Sequence, residues 1–202
     1  MKDIIIATKN KNKYEEIVHI IQRHSGRVHS LLFADDIIGI PEVIEDGKTL
    51  YENALKKAKE TAEYTGKACL ADDTGFFVRA LGNKPGIHAA RYAGEGCTYE
   101  DNVNKLLSEM KDKTETYAYF QTVCVLYDPT DESIISSDGI LEGHIITEKR
   151  GINGFGYDPI FLPLGSEYTL AEMSDEEKNM ISHRYKAIKN IKWRKDDKPT
   201  NI

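Results

Sequence analysis

Leu70-Ala71-Asp72-Asp73-Thr74-Gly75 closes an apolar run that begins at Ala68. A short apolar run bounded by turn residues reads as a buried strand. Carboxylates at the end of such a strand sit where open α/β sheets bind their ligands. Two adjacent acids repel one another unless a cation or a shared proton offsets the charge. Carboxylate oxygens are also the hard ligands that Mg²⁺ prefers, often bridging to substrate phosphates. The plainer reading is a strand-to-turn junction, because Asp-Thr-Gly is good turn chemistry. The hexapeptide by itself leaves both readings open.

Upstream, Ile4-Ile5-Ile6-Ala7-Thr8 is a β-branched run and reads as a first buried strand. Tyr14, Ile17, Val18 and Ile21 then follow helical spacing, with Asn10 or Asn12 placed to cap the helix. Thr8-Lys9-Asn10-Lys11-Asn12-Lys13 therefore lies on a strand-to-helix turn, where backbone N–H groups and the helix dipole favour an anion. Charge alone is more commonly met by a solvated, capped helix start, and no Walker or dinucleotide-binding glycine pattern occurs. Leu31 to Asp46 reads as a second strand and a loop carrying Glu42, Glu45 and Asp46. Thr49-Leu50-Tyr51-Glu52 has the form of a capping box, predicting a helix to about Tyr64 that stops at Gly66. Leu50, Ala54, Ala58 and Ala62 make its apolar stripe, while Asn53 and Lys57 are neighbours on another face. On its own, Lys57 reads as a surface lysine.

Downstream, Phe76 to Leu81 reads as a strand or short helix, and Gly82 to Gly96 as a long loop of the functional or mobile kind. Thr98 to Met110 is a helix with Val103, Leu106, Leu107 and Met110 facing inward. Glu115–Tyr127 and Ser133–Thr147 read as long strands of a hairpin around Asp128-Pro129-Thr130-Asp131. Gly151 to Phe161 is a second glycine-rich loop, in which Phe155 could stack on a base or merely anchor a turn. Ser174 to Glu177 is a further capping box, and Ser182-His183-Arg184 opens a last helix with Tyr185, Ile188 and Ile191 inward. Lys192 to Ile202 is charged and is expected to fray. No repeat or linker interrupts the chain, so residues 1–202 read as one domain.

The chain has 202 residues, 40% of them apolar and 30% charged, which is ordinary for a globular domain with a real core. A formal charge of −6 disfavours a broad grip on a nucleic acid polymer, though not a local pocket for a small anion. Cys69, Cys97 and Cys124 are far apart and lack metal-ligand spacing, as expected of small apolar residues in a reducing compartment. With no secretory signal and no run of transmembrane length, the expected location is cytoplasmic, away from any membrane.

Thr8-Lys9-Asn10…Lys13, Asp72-Asp73-Thr74-Gly75, Pro85-Gly86…Ala90-Arg91-Tyr92-Ala93-Gly94, Gly154-Phe155-Gly156-Tyr157-Asp158-Pro159 and Ser182-His183-Arg184 follow one another in a single chain. Together they closely resemble the inosine/xanthosine triphosphate pyrophosphatase family, over nearly the whole length from Ile4 to Ile191. The resemblance implies an α/β fold with an elongated central mixed β-sheet and flanking helices, two lobes with a substrate cleft between them, and a homodimer. It implies Mg²⁺-dependent hydrolysis of non-standard purine nucleoside triphosphates (ITP, dITP, XTP) to the monophosphate and pyrophosphate. By matching position, Thr8, Asn10 and Lys13 hold the triphosphate, with the intervening Lys9, Lys11 and Asn12 contributing backbone, and Asn53 and Lys57 face the phosphates. Asp73 becomes general base and metal ligand, Glu45 the second metal ligand, and Thr74 a substrate contact. Phe155, Gly156, Tyr157, Asp158, Lys178, His183 and Arg184 line the nucleoside end. Thr74 stands where the family commonly has Ser and keeps the hydroxyl; Lys9 replaces a common Gly, and Ala89 a frequent Ser.

These residues suit the reaction chemically. A water nucleophile attacking a shielded phosphorus needs cations and a base; Asp72 or Asp73 can take the proton, and Lys13 and Lys57 can stabilise the leaving pyrophosphate. A 6-oxo acceptor met by donors from His183, Arg184 or backbone would separate inosine and xanthosine from adenosine. The rival readings are a pyrophosphatase for modified pyrimidine triphosphates and an inactive nucleotide-binding sensor. Against the sensor, a mere binder needs no base beside a metal.

Overall fold

The computed structural model describes residues 3–24 and 30–193. The strands are β1 (Asp3–Ile6), β2 (Ser30–Phe33), β3 (Ala68–Val78), β4 (Lys84–Gly86), β5 (Tyr117–Asp128), β6 (Ser133–Ile145) and β7 (Phe161–Pro163); the helices are α1 (Lys11–His24), α2 (Leu50–Thr65), α3 (Tyr99–Met110), α4 (Asp175–Ile181) and α5 (His183–Lys189). All strands join one sheet in the order β2-β1-β3-β5-β6-β7, with β4 paired to β3. The sheet is mixed as expected: β1 runs parallel to β2 and β3, whereas β4 is antiparallel to β3 and β7 to β6. The hairpin is present too, since β5 and β6 are sheet neighbours linked by residues 129–132.

The chain forms two compact units. The first comprises residues 1–73, 122–139 and 184–202, and the second residues 74–121 and 140–183. In the first, β1, β3 and β5 are apolar on both faces. Ile4, Ile6, Leu70, Cys124 and Leu126 pack on Ile17, Ile20 and Ile21 of α1 and Ala187 and Ile188 of α5. Ile5, Ala7, Cys69, Ala71, Val125 and Tyr127 face the opposite way, onto Ala54, Ala58 and Ala62 of α2. A strand sandwiched between helices needs apolar residues at every position, which is why these segments read as continuous runs rather than alternations. The alanine stripe gives α2 a small-residue face against the sheet.

The helix signals hold in detail. Thr49 and Glu52 make a reciprocal capping box, and Gly66 ends α2 in the left-handed conformation that glycine adopts without strain. Thr98 and Asp101 cap α3, and Ser174 and Glu177 cap α4, in the same reciprocal way. Replacing one such cap costs about 1 kcal/mol. In the second unit, Phe76, Phe120, Tyr157 and Phe161 form a stacked and edge-on aromatic core together with Leu106 and Leu141. The charged tail from residue 194 lies outside the described residues, as does any fraying of it.

One expectation fails at the opening motif. β3 does not stop at the acids; it runs through Asp72, Asp73, Thr74 and Gly75 to Val78. The continuation is held by pairing with β4, Phe76 to Gly86 and Val78 to Lys84. Gly75 is not there for a turn. A Cβ on it would lie 2.6 Å from the Phe77 ring and 3.1 Å from the Gly86 carbonyl oxygen, so glycine admits a close approach within a sheet. The long loop after Leu81 likewise contains β4 and a short 3₁₀ turn at Ala89–Arg91.

Candidate active site

The acid pair is mid-strand, so its side chains point to opposite faces of β3. Asp72 follows Leu70 onto the α1/α5 face, where its Oδ2 accepts from Arg184 Nε at 3.2 Å and Nη2 at 3.1 Å, with Lys13 Nζ at 3.3 Å. Arg184 also donates through Nη1 to Glu16. Asp73 follows Ala71 onto the α2 face. Its Oδ2 accepts from Asn53 Nδ2 at 3.1 Å, and its Oδ1 lies 3.4 Å from Lys57 Nζ. Lys57 in turn reaches Glu45 Oε1 at 3.0 Å. Lys57 is thus buried between two carboxylates and is no surface lysine.

Local sequence explains this convergence. Asn53 and Lys57, four apart on α2, share one helix face. Asn53 Oδ1 accepts from Gly47 N at 2.8 Å, which ties the segment carrying Glu45 back onto α2. A Cβ on Gly47 would sit 2.6 Å from that same oxygen, so the tie requires glycine. Before α1, Asn10 Oδ1 accepts from Lys13 N at 3.2 Å and acts as the helix cap. Thr8 Oγ1 accepts from Asn10 N at 3.1 Å, so the Thr8 and Asn10 side chains shape the turn that the resemblance assigns to phosphate. Lys9, Lys11 and Asn12 are exposed along it, Lys11 making a surface contact with Glu15.

The two acids differ electrostatically. Burial would raise the pKa of Asp72, but Lys13, then Arg184 and Lys57, outweigh it and hold the group well below the usual carboxylate range. For Asp73 burial wins over Lys57 and Lys13, Glu45 adds repulsion, and the pKa is raised. Burial disfavours the charged form of Lys57, yet Asp73, Glu45 and Asp72 outweigh it and raise its pKa, keeping it an ammonium. Among the described residues no three or more His, Cys, Asp or Glu converge as a metal cage. Glu45 and Asp73 do close on one cationic centre, and two carboxylates of this kind suit a Mg²⁺ that completes its shell with water and phosphate.

The second unit gathers the other predicted set. Lys178 Nζ lies 2.6 Å from Asp158 Oδ2 and 4.7 Å over the Phe155 ring. Asp158 also accepts from Phe155 N at 2.8 Å, and a Cβ on Gly154, whose φ is +70°, would strike that carboxylate. Thr74, half-buried, begins this unit on β3, and Gly156 is half-buried beside Phe155. His183 is buried and stacks on Phe120, ring centroids 4.7 Å apart. Two of the residues expected here also take part in the packing of the protein. Tyr157 is a core residue, stacked on Phe76 and donating to the Ala89 carbonyl oxygen at 2.9 Å. Arg184 engages Asp72 and Glu16 through its buried guanidinium, and two carboxylates offset the cost of burying it. Glu16 was not singled out in the sequence, although its place three residues after Lys13 on α1 puts both on one face.

A lysine-bearing turn, an acid pair and a buried lysine on one α/β unit are the kinds of group that suit a polyphosphate. The model of the Ham1 family matches residues 4–193, and the chain belongs to that family. A dITP/XTP pyrophosphatase of Desulfotalea psychrophila is 44% identical over 189 residues, covering 94% of this chain and 83% of the relative. One of Thermoanaerobacter pseudethanolicus is 45% identical over 192 residues, covering 94% of each. The solved structure of a HAM1 protein from Coxiella burnetii superposes with a TM-score of 0.84 at 34% identity, covering 94% of this chain and 95% of that one. The relationship read from the motifs is borne out.

Proposed function

We propose that this chain is a nucleoside-triphosphate pyrophosphatase that clears non-standard purine nucleotides, ITP, dITP and XTP, by cleaving the α–β phosphoanhydride to monophosphate and pyrophosphate. Relatives named dITP/XTP pyrophosphatase at high coverage support the activity. The observation that carries the chemistry is Lys57 held between Asp73 and Glu45, beside the separately charged Asp72.

In this reading Lys13 and Lys57 meet the phosphates and favour departure of pyrophosphate, and Asn53 fixes the orientation of Asp73. Asp73 accepts the proton of the attacking water; its raised pKa is the direction that suits a base working near neutrality. Asp73 and Glu45 would hold Mg²⁺, which when bound would supply charge neutralisation at the phosphate oxygens and a more acidic water. Asp72 serves by charge: ionised and fixed by Arg184, it keeps Lys13 in place. The balance is water plus nucleoside triphosphate to monophosphate, pyrophosphate and a proton.

Phe155 offers a ring to the base, with Lys178 and His183 at the nucleoside end and Thr74 offering its hydroxyl to the substrate. The family resemblance supports a homodimer. Three free cysteines suit a reducing compartment such as the cytoplasm, and no described helix is long and apolar enough to cross a membrane. The test is end-point analysis of ITP with Mg²⁺. IMP plus pyrophosphate is expected; IDP plus phosphate overturns the bond assignment.

A further inference from the structure

The glycine loop that carries Phe155 is stitched down on its backbone. Asn153 N donates to the Ala171 carbonyl oxygen at 3.0 Å, Asn153 Nδ2 to that of Met173 at 2.9 Å, and Thr169 Oγ1 to that of Arg150 at 2.9 Å. These bonds set the path of the loop without setting the torsion of the Phe155 ring. The ring instead meets Tyr99, at a centroid distance of 5.8 Å and an interplanar angle of 39°. Tyr99 is the first residue of α3, fixed there by the Thr98–Asp101 capping box. Its side chain is no core anchor, being 40% exposed. The same end of α3 grips the segment entering the loop: Lys149 Nζ donates to Glu100 Oε1 at 3.1 Å and Asn104 Oδ1 at 2.8 Å.

We infer that Tyr99 is a positioning residue for purine recognition, bracing the Phe155 ring from α3 so that it is already oriented when a base arrives. The inference rests on the reading of Phe155 as the stacking ring. An aromatic pair contributes beyond its buried area, and a ring held in its bound orientation loses less freedom on binding. Lys178 over the ring supplies the electrostatic part of the same restraint. Tyr99 escapes notice in the sequence because nothing local links it to a loop some fifty residues away; only the fold joins them.

The test compares Tyr99→Ala and Tyr99→Phe with the unaltered protein, reading KM and kcat for ITP and inhibition by inorganic pyrophosphate, which carries no base. Tyr99→Ala is expected to raise KM about three- to tenfold, with kcat and pyrophosphate inhibition unchanged, and Tyr99→Phe to restore the original KM. An unchanged KM in Tyr99→Ala overturns the inference. So does an equal weakening of pyrophosphate inhibition, which marks general damage, or a Tyr99→Phe that behaves like Tyr99→Ala. If Tyr99→Ala does not fold, Tyr99→Leu is read by the same criteria. Release of pyrophosphate from ITP by the unaltered protein upholds the proposed function whichever way Tyr99 falls.

Discussion

Asp72 and Asp73, consecutive in the chain, occupy opposite faces of β3: Asp72 lies 3.3 Å from Lys13 and Asp73 lies 3.4 Å from Lys57. Adjacent acids that look like one bidentate site are therefore two sites with two chemistries. Their substitutions should separate cleanly.

Asp72→Asn should cost stability. It leaves Arg184 and Lys13 facing a neutral amide, and breaking a buried ion pair costs about 3–5 kcal/mol. The melting temperature should fall on the order of 10 °C. The folded-state pKa of Asp72 lies below its unfolded value, so its contribution is complete above about pH 4. Below that it is lost progressively as pH falls toward the folded pKa. The gap between the two proteins, followed by calorimetry, should be constant from neutrality down to about pH 4 and narrow below it.

Asp73→Asn should instead remove turnover while sparing the fold. A positioned base contributes on the order of 10²–10⁴-fold in rate, so kcat for ITP should drop by at least about a hundredfold. Asn53 and Lys57 remain near an isosteric amide. Nucleotide affinity by calorimetric titration should stay within a few-fold; near-normal turnover would remove Asp73 from its role.

Glu45→Gln bears on the metal. Chelation by EDTA should abolish ITP hydrolysis, and added Mg²⁺ should restore it. The variant should then need more Mg²⁺ for half-maximal rate, by on the order of tenfold, a typical cost of disturbing a metal's surroundings. The Glu45 side chain is 35% exposed, so thermal stability should change little. A Mg²⁺ titration that superposes on that of the unaltered protein would exclude Glu45 as a ligand.

Thiol labelling reports on the folded core. Burial pushes the Cys69 thiol up to about 12 and raises that of Cys124 as well, whereas Cys97 is half-buried. The thiolate is the reactive species, so at about pH 8 only Cys97 should label quickly in the native protein, and all the cysteines in denaturant. Fast native labelling of Cys69 or Cys124 would contradict the packing of the first unit.

Much of this was legible beforehand because it is local. The capping boxes at Thr49 and Ser174 each lie within four residues, and Gly66 follows directly on its helix. The extension of β3 past its acids was not legible, because it depends on pairing with Lys84–Gly86, and Asp-Thr-Gly imitates a turn. The commitment of Arg184 to Glu16 and Asp72 escaped for the same reason: the partners meet only once α5 lies on the sheet. Lys57 shows the limit from the other side. Its chemistry is visible only when burial is known, since a lysine on an amphipathic helix is far more often solvated.

The polypeptide passes between its two compact units at residues 73/74, 121/122, 139/140 and 183/184. Neither unit is therefore a continuous stretch of the gene. No single cut releases either one alone, and no simple exchange of gene segments can graft one onto another scaffold. Whatever changes the lineage makes to the second unit alone must arise as point substitutions or short insertions, with the first unit inherited alongside.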